Sequence, residues 1–195
     1  IIDDAMKAGT ERNIGHEYRE ETAIEERYSE MARDVVPTPW DVINDLTQGG
    51  LAGDELGVIV APAGIGKTWI LCALGAGSMK RGKNIVHYTL ELNEAYVGLR
   101  YDSVLTGLPN QNLKYHIEDV KSAVEKVKGE LVVKYFPTKT ASVHTLSAHL
   151  QKLRTLGKDF DMVVVDYGDI LRDTSNSREV RHALGNIYED LRGMA

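Results

Sequence analysis

Hydrophobic and polar positions follow two alternating patterns along residues 37–195. Short runs rich in Val, Ile and Leu, which are typical of buried strands, lie between longer stretches in which apolar residues recur at helical spacing. The short runs predict strands at residues 56–60, 84–90, 131–136 and 162–165. The longer stretches predict helices at residues 67–79, 94–106, 117–128 and 178–194, and a further helix that begins after Ser142 as its N-cap. Strands separated by helices indicate an α/β fold, a mostly parallel sheet with helices on both faces.

The first 36 residues show a different pattern. Residues 16–34 are dense in charge, and the apolar residues Ile24, Tyr28 and Met31 recur at helical spacing as a narrow stripe. Pro37 and Pro39 follow, and each proline disfavours helical backbone at the residue before it. We therefore predict an N-terminal helical linker region at residues 1–36 and one core domain at residues 37–195.

Composition narrows the class of protein. The 195 residues are 43% hydrophobic and 27% charged, which is ordinary for a soluble globular protein, and no apolar run reaches the roughly 20 residues that span a bilayer. Cys72 is the only cysteine, which excludes an internal disulfide and favours a cytoplasmic location. The net charge of −6 argues against a surface that is basic throughout, but not against a basic channel lining. The chain opens on Ile1 and stops within a predicted helix, so we expect a fragment of a longer protein.

The sequence A-P-A-G-I-G-K-T at residues 61–68 predicts a phosphate-binding loop of the Walker A type. It follows a predicted strand and opens a predicted helix, as such loops do. Gly64 and Gly66 permit the backbone conformations that turn consecutive N–H groups toward phosphate oxygens. Lys67 is predicted to reach the β- and γ-phosphates of ATP and to be a catalytic residue as well, and Thr68 is predicted to bind Mg²⁺. The predicted nucleotide-binding residues of the loop are Ala61, Pro62, Ala63, Gly64, Ile65, Gly66, Lys67 and Thr68.

Acidic residues follow two of the predicted strands. Asp166 ends the apolar run 162–165 and is predicted to orient a water molecule on Mg²⁺. Glu91 follows the run 84–90 and is predicted to be the catalytic carboxylate that polarises the attacking water. Glu94 is the competing candidate, but its position in the first turn of the next helix is a common structural site for an acid.

These motifs together resemble the RecA-type ATPases, and among them the DnaB-like replicative helicases. The resemblance covers roughly residues 37–195, and its motifs are residues 49–56 before the loop, T-L-E-L at 89–92, Arg100 on the next helix and V-D-Y at 165–167. The likeness to the replicative helicases of T-even-type phages extends over residues 131–138 as well. The combination is far more specific than any one of these motifs.

The resemblance implies a homo-hexameric ring that binds Mg²⁺ and ATP between subunits, moves along single-stranded DNA and separates the duplex. It implies that Glu91 is catalytic, places Arg100 among the nucleotide-binding residues, and suggests a primase or a helicase loader as a partner. No membrane partner is expected from the apolar runs, and the expected location is the host cytoplasm if the chain is phage-encoded. In this family a linker helix docks on the neighbouring subunit, which suits the Ile24, Tyr28 and Met31 stripe; a solvated helix or an intramolecular packing helix suits it equally.

Two departures from the family pattern limit the activity that we expect of this chain alone. Gly168 and Asp169 follow the V-D-Y element, where these helicases usually continue with Leu and often Gln. The chain also stops before the polar sensor, the arginine finger and the main DNA-contacting loops. We therefore expect this chain alone to bind nucleotide, to hydrolyse it poorly and not to unwind DNA unaided.

Other interpretations stay open at the level of sequence. A RecA/RadA-type recombinase that forms filaments shares the same core, and so does a KaiC-like regulatory ATPase without DNA binding. Trp69 fits packing better than base stacking, and the polar segment 172–182 fits a solvated loop better than a phosphate contact. The histidines lack metal-site spacing.

Overall fold

The computed structural model describes residues 18–19, 24–25, 28, 33–175, 177 and 179–195. The chain divides into two compact units between Asp34 and Val35. In the first unit, Ile24 and Tyr28 are helical and are 38% and 70% exposed, whereas Met31 lies outside the described residues. The predicted linker region therefore falls largely outside what the structure describes, and the apolar stripe stays a prediction.

The second unit alternates strands and helices, as predicted. Its strands are β1 (Val35–Val36), β2 (Leu51–Ala52), β3 (Ile85–Thr89), β4 (Leu131–Tyr135) and β5 (Met162–Asp166). Its α-helices are α1 (Asp41–Leu46), α2 (Lys67–Lys80), α3 (Glu94–Thr106), α4 (Ile117–Glu125), α5 (Val143–Thr155) and α6 (Val180–Met194). Short 3₁₀ helices occupy Asn110–Tyr115 and Gly168–Ile170. No described helix has the length and apolar character that crossing a membrane requires.

The central sheet has the strand order β4-β3-β5, and both pairings are parallel. All five residues of β3 are buried, because β3 is the middle strand and has helices on both faces. Val86 and Tyr88 pack against α5 and α6, whereas Ile85 belongs to a second core cluster with α2 and α3. This confirms the predicted α/β class and the helices on both faces.

Local sequence signals place several helix ends correctly. Ser142 is the N-cap of α5, and a capping box joins its side chain to Thr145. Gly107 adopts φ 75° directly after α3, a left-handed conformation that favours glycine. Other boundaries differ by a few residues, and the helix predicted at 117–128 ends at Glu125. The antiparallel pair β1–β2 and the short helix α1 were not predicted, because their sequences are too short to show a period.

The predicted strand at residues 56–60 is wrong. These residues form no regular secondary structure, and Val58 and Val60 are 52% and 89% exposed. Gly57, Val58 and Ile59 line a groove together with residues 162–165 of β5, and the segment pairs with no described strand. A strand exists only through hydrogen bonds to a neighbouring strand, so an apolar run that lacks one within the described chain stays irregular.

Candidate functional site

The carboxyl ends of β3 and β5 lie side by side and bring the two predicted acidic positions to one edge of the sheet. Thr89 is in register with Asp166, and the Leu90 N–H donates to the Asp166 carbonyl oxygen at 2.8 Å. Glu91 follows one residue later, and its charge raises the pKa of Asp166. Parallel pairing therefore places both carboxylates where helix α2 begins, at the edge where open α/β sheets bind ligands.

The predicted phosphate loop leads directly into α2. Gly64 adopts φ 77° and Gly66 adopts φ 108°, conformations that L side chains rarely take. Gly66 is the N-cap of α2, and no side chain caps the helix. The first N–H groups of a helix have no partner within it, and they carry the positive end of the helix dipole. The loop therefore presents donors suited to an anion.

Lys67 folds back over the loop that precedes it. Its Nζ donates to the Ala61 carbonyl at 2.7 Å and to the Pro62 carbonyl at 3.2 Å. The same ammonium group lies 5.9 Å from the centroid of the Tyr167 ring, which follows β5. The lysine is thus held between the loop and the end of β5 by neutral acceptors, which a phosphate oxygen would outcompete as a charged acceptor.

Thr68 and Asp166 form the buried floor of the site. Asp166 is 2% exposed, and the Thr68 side chain lies close enough to lower the pKa of its carboxyl group. Burial raises the pKa of Asp166 and Glu91 adds to the increase, whereas Thr68, Arg100 and Lys67 oppose it. The Oδ2 atom of Asp166 is buried without a hydrogen-bond partner in the described chain. A buried acceptor of this kind calls for a cation or an ordered water molecule.

Glu91 and Glu94 have different environments. The Glu94 carboxylate accepts a hydrogen bond from the Tyr135 N–H at 3.0 Å and lies 3.6 Å from Lys134 Nζ. The Tyr135 N–H is the main cause that lowers the pKa of Glu94. Glu91 is exposed. Glu94 thus connects α3 to β4, whereas the Glu91 carboxylate has no hydrogen-bond or ion-pair partner among the described residues.

Two threonines that sequence reasoning missed fix the turn that carries Glu91. The Thr89 hydroxyl donates to the Leu92 carbonyl at 2.7 Å and accepts from the Leu92 N–H at 3.2 Å. The Thr138 hydroxyl donates to the Leu90 carbonyl at 3.1 Å. The T-L-E-L motif includes Thr89 but does not reveal its contacts with Leu92, and the contact of Thr138 with Leu90 could be found only from the fold.

Arg100 lies on α3, and its charge lowers the pKa of Asp166. Its Nη1 donates to the Tyr96 carbonyl at 3.2 Å, and its guanidinium carbon lies 5.5 Å from the centroid of the Trp69 ring. Trp69 comes directly after Thr68, so the stacked pair joins α3 to the start of α2. The structure therefore brings Lys67, Thr68, Glu91, Arg100 and Asp166 into one cluster.

The cluster fits a phosphate chain with a magnesium ion. The loop and the N-terminus of α2 supply N–H donors, and Lys67 supplies a positive charge, which together suit phosphate oxygens. Thr68 and Asp166 supply oxygen atoms, the ligand type that Mg²⁺ prefers, and the partnerless Asp166 Oδ2 is available to a metal-bound water.

Comparison with known proteins finds a related replicative helicase. A DnaB-like replicative helicase of Enterobacteria phage T4 is 27% identical over 208 residues, an alignment that covers 100% of this chain and 42% of that protein. The chain thus spans less than half the length of this curated relative.

Solved structures support the same fold. A structure described as that of a DnaB-like replicative helicase and its interactions with primase superposes with a TM-score of 0.72 at 15% identity, covering 99% of this chain and 48% of that one. A second structure, described as an ATPase domain, superposes with a TM-score of 0.68 at 15% identity, covering 100% of this chain and 66% of that one. The family model for the DnaB-like helicase C-terminal domain matches residues 36–195. The chain therefore belongs to the DnaB-like helicase C-terminal domain family.

Proposed function

We propose that this chain is the ATP-binding core of a replicative DNA helicase, which couples hydrolysis of Mg-ATP to movement on single-stranded DNA and to unwinding of the duplex. One observation carries the proposal: a phosphate loop with its lysine and threonine, a buried aspartate and an exposed glutamate meet at one sheet edge. These residues are suited to nucleotide binding, metal coordination and activation of water. Membership of the helicase family supports the assignment.

In this proposal the loop and Lys67 bind the nucleotide. The backbone N–H groups of residues 61–68 other than Pro62, and those of the first turn of α2, bind the phosphate oxygens, aided by the helix dipole. The Lys67 ammonium exchanges the carbonyl oxygens of Ala61 and Pro62 for oxygens of the β- and γ-phosphates. This exchange replaces neutral acceptors with charged ones and therefore favours binding.

In this proposal the residues at the ends of β3 and β5 carry out hydrolysis. A bound Mg²⁺ ion supplies positive charge that neutralises the phosphate oxygens. The Thr68 hydroxyl would ligate the ion, and Asp166, whose Oδ2 atom has no hydrogen-bond partner among the described residues, would hold it through water. Glu91, held by the Thr89 and Thr138 hydrogen bonds, accepts the proton of the water that attacks the γ-phosphate.

Single-stranded DNA and further copies of the same chain are the partners in this proposal, in a homo-hexameric ring. A primase is a further partner, by analogy with the helicase structure whose description mentions interactions with primase. The site of action is the cytoplasm, which is that of the host if the protein is phage-encoded. We expect the chain alone to bind ATP and to hydrolyse it weakly.

We expect single-stranded DNA to stimulate ATP hydrolysis by the protein that contains this chain, and the stimulation to weaken steeply with salt because backbone contacts release counterions. Steady-state hydrolysis with and without a single-stranded oligonucleotide measures this, and blunt duplex DNA of the same sequence is the control. Hydrolysis unaffected by DNA, together with no DNA binding at low salt, would favour a regulatory ATPase. Open filaments in electron micrographs would favour a recombinase.

A further inference from the structure

The turn that follows β5 carries the two residues that depart from the family pattern, Gly168 and Asp169, and both contact α6. The hydroxyl of Tyr188 on α6 donates to Asp169 Oδ1 at 2.6 Å, a short hydrogen bond to a charged acceptor. A Cβ atom on Gly168 would lie 3.3 Å from Leu191 and 3.4 Å from Tyr188, which is closer than most Cβ contacts. Glycine therefore lets α6 lie close to the turn, and Asp169 joins the two.

The other side of the same turn is fixed by backbone hydrogen bonds. The Lys139 N–H donates to the Ile170 carbonyl at 3.2 Å, and the Arg172 N–H donates to the Ala141 carbonyl at 2.8 Å. Among the described residues, the Tyr188 hydroxyl makes the one hydrogen bond that joins α6 to residues 167–171. Removal of this hydroxyl therefore leaves the side of the turn that faces α6 without a hydrogen bond to that helix.

Tyr167 begins this turn and reaches the lysine of the phosphate loop. The centroid of its ring lies 5.9 Å from Lys67 Nζ, within the range of attraction between a cation and an aromatic face. The Tyr167 carbonyl accepts a hydrogen bond from the Ile170 N–H at 3.5 Å, so the backbone that carries the ring is part of the turn. The orientation of the ring beside the Lys67 ammonium group therefore depends on the turn.

We propose that Asp169 and Tyr188 are positioning residues that hold the Tyr167 ring beside Lys67 and thereby raise the affinity of the loop for ATP. This inference rests on the proposed function, in which Lys67 binds the phosphates. A lysine side chain loses rotational freedom when it binds a ligand, and a neighbouring ring that already restricts the ammonium group lowers this cost. Because the ring lies near the outer limit of the attraction, we expect its displacement to weaken ATP binding roughly two- to fivefold.

Titration of the full chain with a fluorescent ATP analogue and Mg²⁺ tests the proposal. We expect Tyr188→Phe, which loses the hydroxyl and keeps the ring, and Asp169→Ala to bind the analogue roughly two- to fivefold more weakly than the wild type. Asp169→Asn keeps an oxygen that accepts from Tyr188 and should recover most of the affinity. Tyr88→Phe is the matched control, because the Tyr88 hydroxyl donates to the Leu146 carbonyl at 3.3 Å, on α5 and not at the turn. It should lower the thermal stability and leave the affinity for the analogue unchanged.

A double-mutant cycle shows whether the effect passes through Tyr167. In a Tyr167→Leu background, Tyr188→Phe should no longer change the affinity for the analogue, because the ring that the hydrogen bond positions is gone. A hydrogen bond with a purely structural role would lower the thermal stability in both backgrounds and leave the affinity of the folded protein unchanged in both.

Three outcomes would overturn the proposal. The first is wild-type affinity in both Tyr188→Phe and Asp169→Ala, and the second is an equal loss of affinity from Tyr188→Phe with and without the Tyr167 ring. The third is an affinity of Asp169→Asn as low as that of Asp169→Ala, because the hydrogen bond would then not be the cause. Lys67→Ala separates this proposal from the proposed function. If it leaves the affinity unchanged, the phosphate loop is misassigned and both fail; if it weakens binding and Tyr188→Phe does not, only the positioning role fails.

Discussion

Replacement of Lys67 by alanine is expected to weaken ATP binding on the order of 100-fold. The lysine is the cation of the phosphate loop, and its ammonium group already lies against the loop carbonyls of Ala61 and Pro62 at 2.7 and 3.2 Å. Removal of the charge-assisted hydrogen bonds to phosphate costs about 3 kcal/mol of binding free energy, which corresponds to this change in Kd. Titration with a fluorescent ATP analogue measures the effect.

Lys80→Ala provides the control for this substitution. Lys80 is the last residue of the same helix α2, at the end opposite the phosphate loop, so its loss removes the same charge from the same helix. We expect its nucleotide affinity to match that of the wild type. If Lys67→Ala bound ATP as tightly as Lys80→Ala, the assignment of residues 61–68 as the phosphate loop would be wrong.

Replacement of Glu91 by glutamine is expected to leave nucleotide affinity close to that of the wild type and to lower kcat by about 10²- to 10⁴-fold, the range of a general base. The amide keeps the size of the side chain but cannot accept the proton of the attacking water. The backbone of the turn is held by Thr89 and Thr138, so the substitution should not move it. Steady-state hydrolysis and nucleotide titration of the full-length protein separate the two effects.

Glu94→Gln distinguishes the two glutamates. Because the Glu94 carboxylate accepts the Tyr135 N–H and lies 3.6 Å from Lys134, its replacement should lower the free energy of unfolding while leaving kcat within a few-fold of the wild type. Loss of turnover in Glu94→Gln with retention in Glu91→Gln would reverse the assignment of the catalytic carboxylate.

The sequence predicts the helices of this fold and their ends better than it predicts which segments pair as strands. Ser142 marks the start of α5 and Gly107 the end of α3, because caps are decided by residues within one turn. The segment 56–60 has the composition of a strand and forms none, because a strand also needs a neighbour in the right place. That requirement cannot be read from a local apolar run.

In the site as well, some features follow from the local sequence and others only from the tertiary structure. The phosphate loop and Asp166 are visible as local patterns, since spacing alone places a lysine and a threonine at a helix start and a carboxylate at a strand end. The restraint of Glu94 by Tyr135 depends on how α3 meets β4, which only the structure gives. The contact of Arg100 with Trp69 likewise joins two helices that are distant in sequence.

The most direct test of the central claim is a crystal structure of the chain with a non-hydrolysable ATP analogue and Mn²⁺, with the metal located by anomalous scattering. We expect the anomalous peak beside the Thr68 hydroxyl, with Asp166 Oδ2 contacting the metal through water. The phosphates should lie on residues 61–68 with Lys67 Nζ against them. A nucleotide bound in the groove along β5, or a metal away from Thr68 and Asp166, would contradict the account.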